Sequence, residues 1–232
     1  AHGARAESLS RQTGPEAACL AVLAQLCAAT VVGDRELLER AYAKLEDAAF
    51  VNLPPLLELH LEEFRVIRPL FSGKISASVR VLEALAERAG ELGCAVQQSR
   101  ALGHLALAIL ENLGDPARAL DVARRALQLG KGSRLAPGIH TVFAVRAEME
   151  ALARLGKMDE AFVALAQLDT WTAETGLVPL SAVPFQTRLM FLAGRHEQLL
   201  QLGEKLRACE VSALRPISQA YAAMTDATAA IA

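Results

Sequence analysis

The sequence predicts an all-α chain: an α-solenoid of about five antiparallel helical hairpins, followed by one terminal helix. Three observations carry that expectation. Hydrophobic residues make up 53% of the 232 positions but aromatics only 4%. The apolar content is therefore mostly Ala, Leu and Val, which favours helix and leaves few aromatic or β-branched runs for strands. Apolar residues recur at helical spacing between Gly and Pro punctuation. Finally, Gly33, Gly73, Gly114, Gly156 and Gly194 are separated by 40, 41, 42 and 38 residues, and a fixed period near 40 is what stacked hairpins leave in a sequence.

Each element follows from local signals. Pro15 sits at a favoured first position for a helix that Gly33-Asp34 ends. Asp34 caps the next helix, whose stripe is Leu37, Leu38, Tyr42 and Leu45. A turn over 51–55 leads into PPLLELHLEEFRVIRPLF, and Gly73 separates it from a helix with Val79, Leu82, Leu85 and Ala86 on one side. The stretch from Gly93 to Gly130 reads as two helices joined at Gly-Asp-Pro, the second carrying Ala119, Ala123, Ala126 and Leu127. A stripe of small residues lets helices approach closely. Residues 139–155 form a helix ended by Gly156, MDEAFVALAQLDTWTAETG forms its partner, and a further pair flanks Gly194. Pro216 opens the terminal helix, with Ile217, Ala220, Tyr221, Met224 and Ile231 on one stripe.

Five residues after each period glycine stand Leu38, Ser78, Ala119, Ala161 and Leu199; twelve after stand Leu45, Leu85, Ala126, Leu168 and Leu206. All are apolar or small, as required where one hairpin buries its apolar face against the next. With Leu102-Gly103, Gly114, Ala119 and Ala126-Leu127, the pattern resembles the tetratricopeptide-repeat family. Three features depart from it: the signature Trp and Tyr of the first helix are missing, Gly103 to Gly114 is longer than the usual spacing, and the period exceeds the family's standard. The longer repeat looks more like those of large bacterial LuxR-type regulators, in which a helical-repeat module links a nucleotide-binding motor to a DNA-binding end. Residues 15–232 are expected to form one helical-repeat domain belonging to a longer protein, with the polar residues 1–14 as a disordered lead-in.

Charge and cysteine content exclude several classes. A net charge of -2 and a pI near 6.3 give no footprint for nucleic acid. The basic cluster Arg118, Arg124, Arg125, Lys131 and Arg134 has no interleaved aromatics and reads as a solvated helix face. Cys19, Cys27, Cys94 and Cys209 form no CxxC, the pattern of reduced thiols in a cytoplasmic protein. Cys19 and Cys27 could share one helix face as small buried hydrophobes. The start is polar, without a secretory signal. The run from Ala17 to Val32 is shorter than a membrane span and contains Gln25, so it reads as a buried helix.

No catalytic pattern survives inspection. Gly73-Lys74, Gly130-Lys131 and Gly156-Lys157 lack both the leading Gly and the trailing Ser or Thr of a phosphate-binding loop. His196-Glu197 begins a zinc-binding HExxH, but Leu200 stands at the second His position. Adjacent Glu62 and Glu63 point about 100° apart on a helix and read as solvated surface. The expected protein is not an enzyme and needs no cofactor or metal.

In this architecture the first helix of each hairpin lines the concave wall. Ten residues before each period glycine stand Leu23, Glu63, His104, Arg146 and Pro184; six before stand Cys27, Ile67, Ala108, Glu150 and Arg188. The candidate ligand groove is therefore Glu63, His104, Arg146, Glu150 and Arg188, joined by Glu111 one turn from Ala108. Arg146 and Arg188 could clamp a carboxylate, a phosphate or a peptide terminus; alternatively, Arg146 and Glu150 form an ordinary i,i+4 pair. Trp171 is expected to pack on the following hairpin or to anchor a partner. The function expected is a scaffold or sensor module of a bacterial transcriptional or signalling regulator, holding another protein domain, a peptide or a small effector. The alternative is a free-standing adaptor that captures a peptide. Neither needs a membrane or direct nucleic-acid contact.

Overall fold

The computed structural model describes residues 14–32, 35–47, 50, 52–71, 78–132, 139–175, 182–208 and 215–231. Among them are eleven α-helices and no strand: α1 Pro15–Val32, α2 Arg35–Asp47, α3 Pro55–Phe71, α4 Ser78–Glu91, α5 Ala95–Ala108, α6 Pro116–Gly132, α7 Ile139–Arg154, α8 Met158–Thr175, α9 Val183–Leu192, α10 His196–Arg207 and α11 Arg215–Ile231. The all-helical expectation holds. The chain divides into two compact units, 1–68 and 69–232. The expected lead-in, Asp34 as a cap, the turns at Gly33 and Gly73, Lys131 and Arg134 as side chains, and the surroundings of Trp171 lie outside the described residues.

In the first unit α1 packs on α2, and Cys19, Val22, Leu23 and Leu26 of α1 meet Ala41, Tyr42 and Leu45 of α2 with Leu61 and Phe64 of α3. Asn52, at φ 57, makes the turn before α3; Asn is among the few side chains that tolerate the left-handed region. The buried Tyr42 hydroxyl donates to the Phe64 carbonyl at 3.1 Å. Arg68 lies over the Tyr42 ring, 5.0 Å from its centroid, and pairs with Glu39 and Glu46. Burial pushes the Tyr42 phenol up to about 12, with Arg68 pulling down and Glu39 adding to the rise.

Two expectations for this unit change. Cys19 is buried while Cys27 is exposed: eight residues turn a helix by about 80° beyond two full turns, enough to leave the packed face. Burial raises the Cys19 thiol, against the pull of Arg65. Glu63 is not solvated surface; it is 1% exposed. Helix α3 buries Leu59, Leu61, Phe64, Val66 and Ile67 as well, a face wide enough to take in adjacent positions. No described helix is long and apolar enough to cross a membrane.

In the second unit α4 packs on α5, α5 on α6 and α7, α6 on α7, and α7 on α8 and α9; α9 packs on α10 and α11, and α10 on α11. The expected stripe of Ala119, Ala123, Ala126 and Leu127 is buried. Of the residues five and twelve after the period glycines, Leu38 is partly buried against its core and all the others are buried. Gly103 sits where α5 crosses α7: a Cβ there would lie 3.1 Å from the Ala144 backbone nitrogen. The buried Ser99 hydroxyl ties α5 to α6 by donating to the Ala126 carbonyl at 2.8 Å.

Gly93, Gly156 and Gly194 all have φ between 66° and 76°. In each case the residue after the glycine donates to the carbonyl five back, as from Lys157 to Leu152 at 2.9 Å, and the glycine donates three back, as to Ala153 at 3.1 Å. This paired closure satisfies helix-end carbonyls and needs a residue at ease with positive φ. Gly114 is also left-handed, at φ 61, but it follows a π-helical turn, Ile109–Leu113, that continues α5. Asp115 then caps α6 by accepting from the Arg118 backbone at 3.0 Å, with Pro116 at the first helical position.

The terminal helix turns its expected face only partly inward, and the side chain of Ile217 lies outside the described residues. Ser218, Ala222 and Thr225 are buried, whereas Ala220 is exposed, Tyr221 and Met224 are half-buried and Ile231 is 81% exposed. On α10, a Cβ at Gly203 would come within 2.8 Å of an Asp226 carboxylate oxygen and 2.9 Å of the Thr225 hydroxyl oxygen. The absence of a side chain at Gly203 lets this part of α11 come so near.

Two outcomes follow from this packing. Gly103→Leu is expected to destabilise the second unit by about 2–3 kcal/mol in denaturant unfolding. Gly103→Ala is expected to cost less, because helix propensity returns about 1 kcal/mol. A raised phenol pKa means that the folded state holds its proton where the unfolded chain, at about 10, has lost it. The contribution is thus complete below about pH 10 and is lost as the pH rises through about 12. Tyr42→Phe is expected to cost about 1 kcal/mol at neutral pH and to flatten this alkaline decline, read by tyrosinate absorbance alongside helical circular dichroism.

Candidate functional site

Five of the six sequence-derived candidates lie in the second unit, on α5, its π-helical turn, α7 and α9. Helices α5, α7, α9 and α11 pack in succession, so the first helices of the expected hairpins contact one another. Glu63 belongs to the first unit, on α3, buried as described.

His104 lies on α5 and is buried, its ring 4.4 Å from that of Phe143 at a tilt of 42°. Glu111 projects from the π-helical turn and accepts from Arg146 at 3.1 Å. The Arg146 side chain is only 15% exposed, and its guanidinium lies over the Phe185 ring of α9, 3.6 Å from the centroid. Burial lowers the Arg146 pKa, while Glu111, Glu150 and Tyr221 pull it back up; a guanidinium stays protonated regardless. Arg146 thus links three helices through one ion pair and one stacked ring.

Glu150, one turn further along α7, is buried and accepts from Arg154 at 2.5 Å. The direct i,i+4 ion pair is therefore Glu150 with Arg154; Arg146 bonds to Glu111 instead. Arg154 also donates to the Leu110 carbonyl at 2.9 Å. That carbonyl lies within the π-helical turn, so Arg154 gives a side-chain donor to a helix end, where backbone carbonyls otherwise go short of partners.

Arg188, on α9, is exposed. It lines a cleft of about 110 Å³ between α7 and α9, with Met149, Ala153, Leu189 and Leu192 as apolar walls. Phe185, Glu150 and Arg154 complete the lining. Among the described residues no carboxylate lies within ion-pair distance of Arg188. The structure therefore brings Glu150 and Arg188 to one cleft and places Arg146 beside it, behind Phe185. His104 packs one helix away.

Sequence reasoning passed over Phe185 and Arg154. Phe185 stands three residues before Arg188 and so one turn away on the same helix face, which was a usable signal. Arg154 had none, because its second partner is a carbonyl freed by a π-helical turn. Among the described residues no group of three His, Cys, Asp or Glu side chains is placed to hold a metal ion.

No protein-family model and no curated protein matches this chain.

Removing one member of the Arg146 constellation leaves a largely buried guanidinium short of a partner. Glu111→Ala is expected to destabilise the second unit by about 1–3 kcal/mol. Arg146→Lys is expected to cost a similar amount, since an ammonium loses the planar stacking on Phe185. Chemical unfolding of both variants and of the double mutant checks this: the coupling is expected to be non-additive.

Proposed function

We propose that this chain is a non-catalytic binding module whose cleft between α7 and α9 takes an apolar side chain lying next to a carboxylate. One observation carries the reading: Arg188 stands exposed at the edge of an apolar cleft while every other charged side chain in and beside the cleft is already paired. Glu150 and Arg154 hold each other, and Arg146 holds Glu111. A partner's carboxylate would meet a guanidinium fork suited to two parallel hydrogen bonds, and its apolar neighbour would enter between Met149, Ala153, Leu189 and Leu192.

We further propose that the module is a divergent relative of tetratricopeptide repeats and serves a bacterial cytoplasmic regulator by holding a peptide, a partner domain or a small effector. Support comes from the period of the turn glycines, from the burial of residues five and twelve after them, and from the succession of first-helix contacts. No cofactor enters this reading.

The test is fluorescence anisotropy with labelled peptides that vary a Leu or Phe beside Asp or Glu. Saturable binding is expected, weakened about tenfold by Arg188→Ala and unaffected by Arg125→Ala on the exposed face of α6. Equal affinity in Arg188→Ala and the unaltered chain would refute the assignment.

A further inference from the structure

Helix α9 also borders a second cleft, lined by other residues. Gln186 and Met190 join α8 and α10 around a space of about 260 Å³, several times the roughly 30 Å³ that one water occupies. Leu165, Met190 and Leu202 make its apolar lining, and Asp169, Arg195 and Lys205 supply its charge.

Three features make this a built site. The Arg195 guanidinium lies over the Phe162 ring, its central carbon 3.4 Å from the centroid, a contact that uses none of its N–H donors on a carboxylate. Among the described residues Arg195 has no carboxylate partner. Lys205 and Asp169 face each other at 3.4 Å with both side chains more than half exposed, a long pair that a ligand can enter at little cost. Gln186 is 4% exposed, and its Oε1 accepts no hydrogen bond among the described residues. An orphaned buried amide oxygen is destabilising, and rotation about its terminal torsion is soft. An N–H entering the cleft would satisfy it.

We propose that this cleft binds a free amino acid with an apolar side chain. The carboxylate is held by Arg195 and Lys205, the ammonium by Asp169 and the Gln186 oxygen, and the side chain by Leu165, Met190 and Leu202. The lining carries two cations and one anion, so the carboxylate end dominates recognition and an amine without a carboxylate is rejected. This assignment stands apart from the cleft between α7 and α9, which shares none of these residues.

The experiment is isothermal titration of the 232-residue chain with leucine, isoleucine, valine, methionine and phenylalanine, and with isoamylamine as the amine lacking a carboxylate. Saturable binding of at least one amino acid and none of isoamylamine is expected. Arg195→Gln and Gln186→Leu are each expected to weaken that binding about tenfold or more, the loss of one charge-assisted or one buried hydrogen bond. Arg188→Glu, which disables the other cleft, is expected to leave it unchanged. Should Arg195→Gln lower the melting temperature of the free chain, Lys205→Met provides the same reading from an exposed position. No binding at millimolar concentration, or binding that survives Arg195→Gln or Lys205→Met in the folded chain, overturns the proposal. So does loss of binding in Arg188→Glu, which would place the ligand in the other cleft.

Discussion

The contact that the second unit depends on is the crossing of α5 and α7 at Gly103. With no side chain at that position, two backbones come close enough for a Cβ to meet a main-chain nitrogen. With α5 and α7 that near, small or flat groups fill much of the space around the crossing, alongside Leu107. The α6 face is Ala119, Ala123 and Ala126, Ser99 is short enough to bond across to the Ala126 carbonyl, and His104 fits by tilting against Phe143. Dispersion in such a core sums many close contacts, from small groups and from Leu side chains together. With 4% aromatics in the chain, the largest fully buried side chains are mostly Leu.

The same closeness explains the charged groups beside the candidate site. Arg146 and Glu150 are held in a setting where an unpaired charge is costly, and each is answered by a specific neighbour. The π-helical turn is central to this. It carries Glu111, which receives Arg146, and Leu110, whose carbonyl receives Arg154. Single π-helical turns inside α-helices are uncommon and tend to accompany functional sites. Here the turn supplies both an anionic and a neutral acceptor to α7. Its local cost is offset by two charge-assisted hydrogen bonds.

The hairpin turns were legible because their chemistry is local. A left-handed residue at a helix end is nearly always glycine, so Gly93, Gly114, Gly156 and Gly194 announce themselves. The burial of Leu85, Ala126, Leu168 and Leu206 follows from helical spacing alone. What stayed hidden depends on neighbours distant in sequence. ILENL reads as ordinary helix, so its π-helical register is invisible, and with it the partner of Arg154. The face of α11 was misjudged because hydrophobicity pointed to Met224 and Ile231, while Thr225 lies against Gly203 of α10. Glu63 was misjudged because an acidic pair suggests water unless the width of the packed face is known. Of the candidate groove, the sequence supplied the residues on α7 and α9 but not which of them were already engaged.

The left-handed glycine loops have a kinetic consequence. Each reverses the chain within two or three residues, and every helix of the second unit packs on helices one or two places away in order. Contacts are thus made between segments close in sequence, where closing the intervening loop costs little entropy. Chains of such low contact order fold in microseconds to milliseconds rather than seconds. The same locality lets an end helix open without unravelling the middle, since stability is then graded along the chain. Helix α9, bordered by both clefts, packs on α7, α10 and α11 and so lies inside the ends that open first.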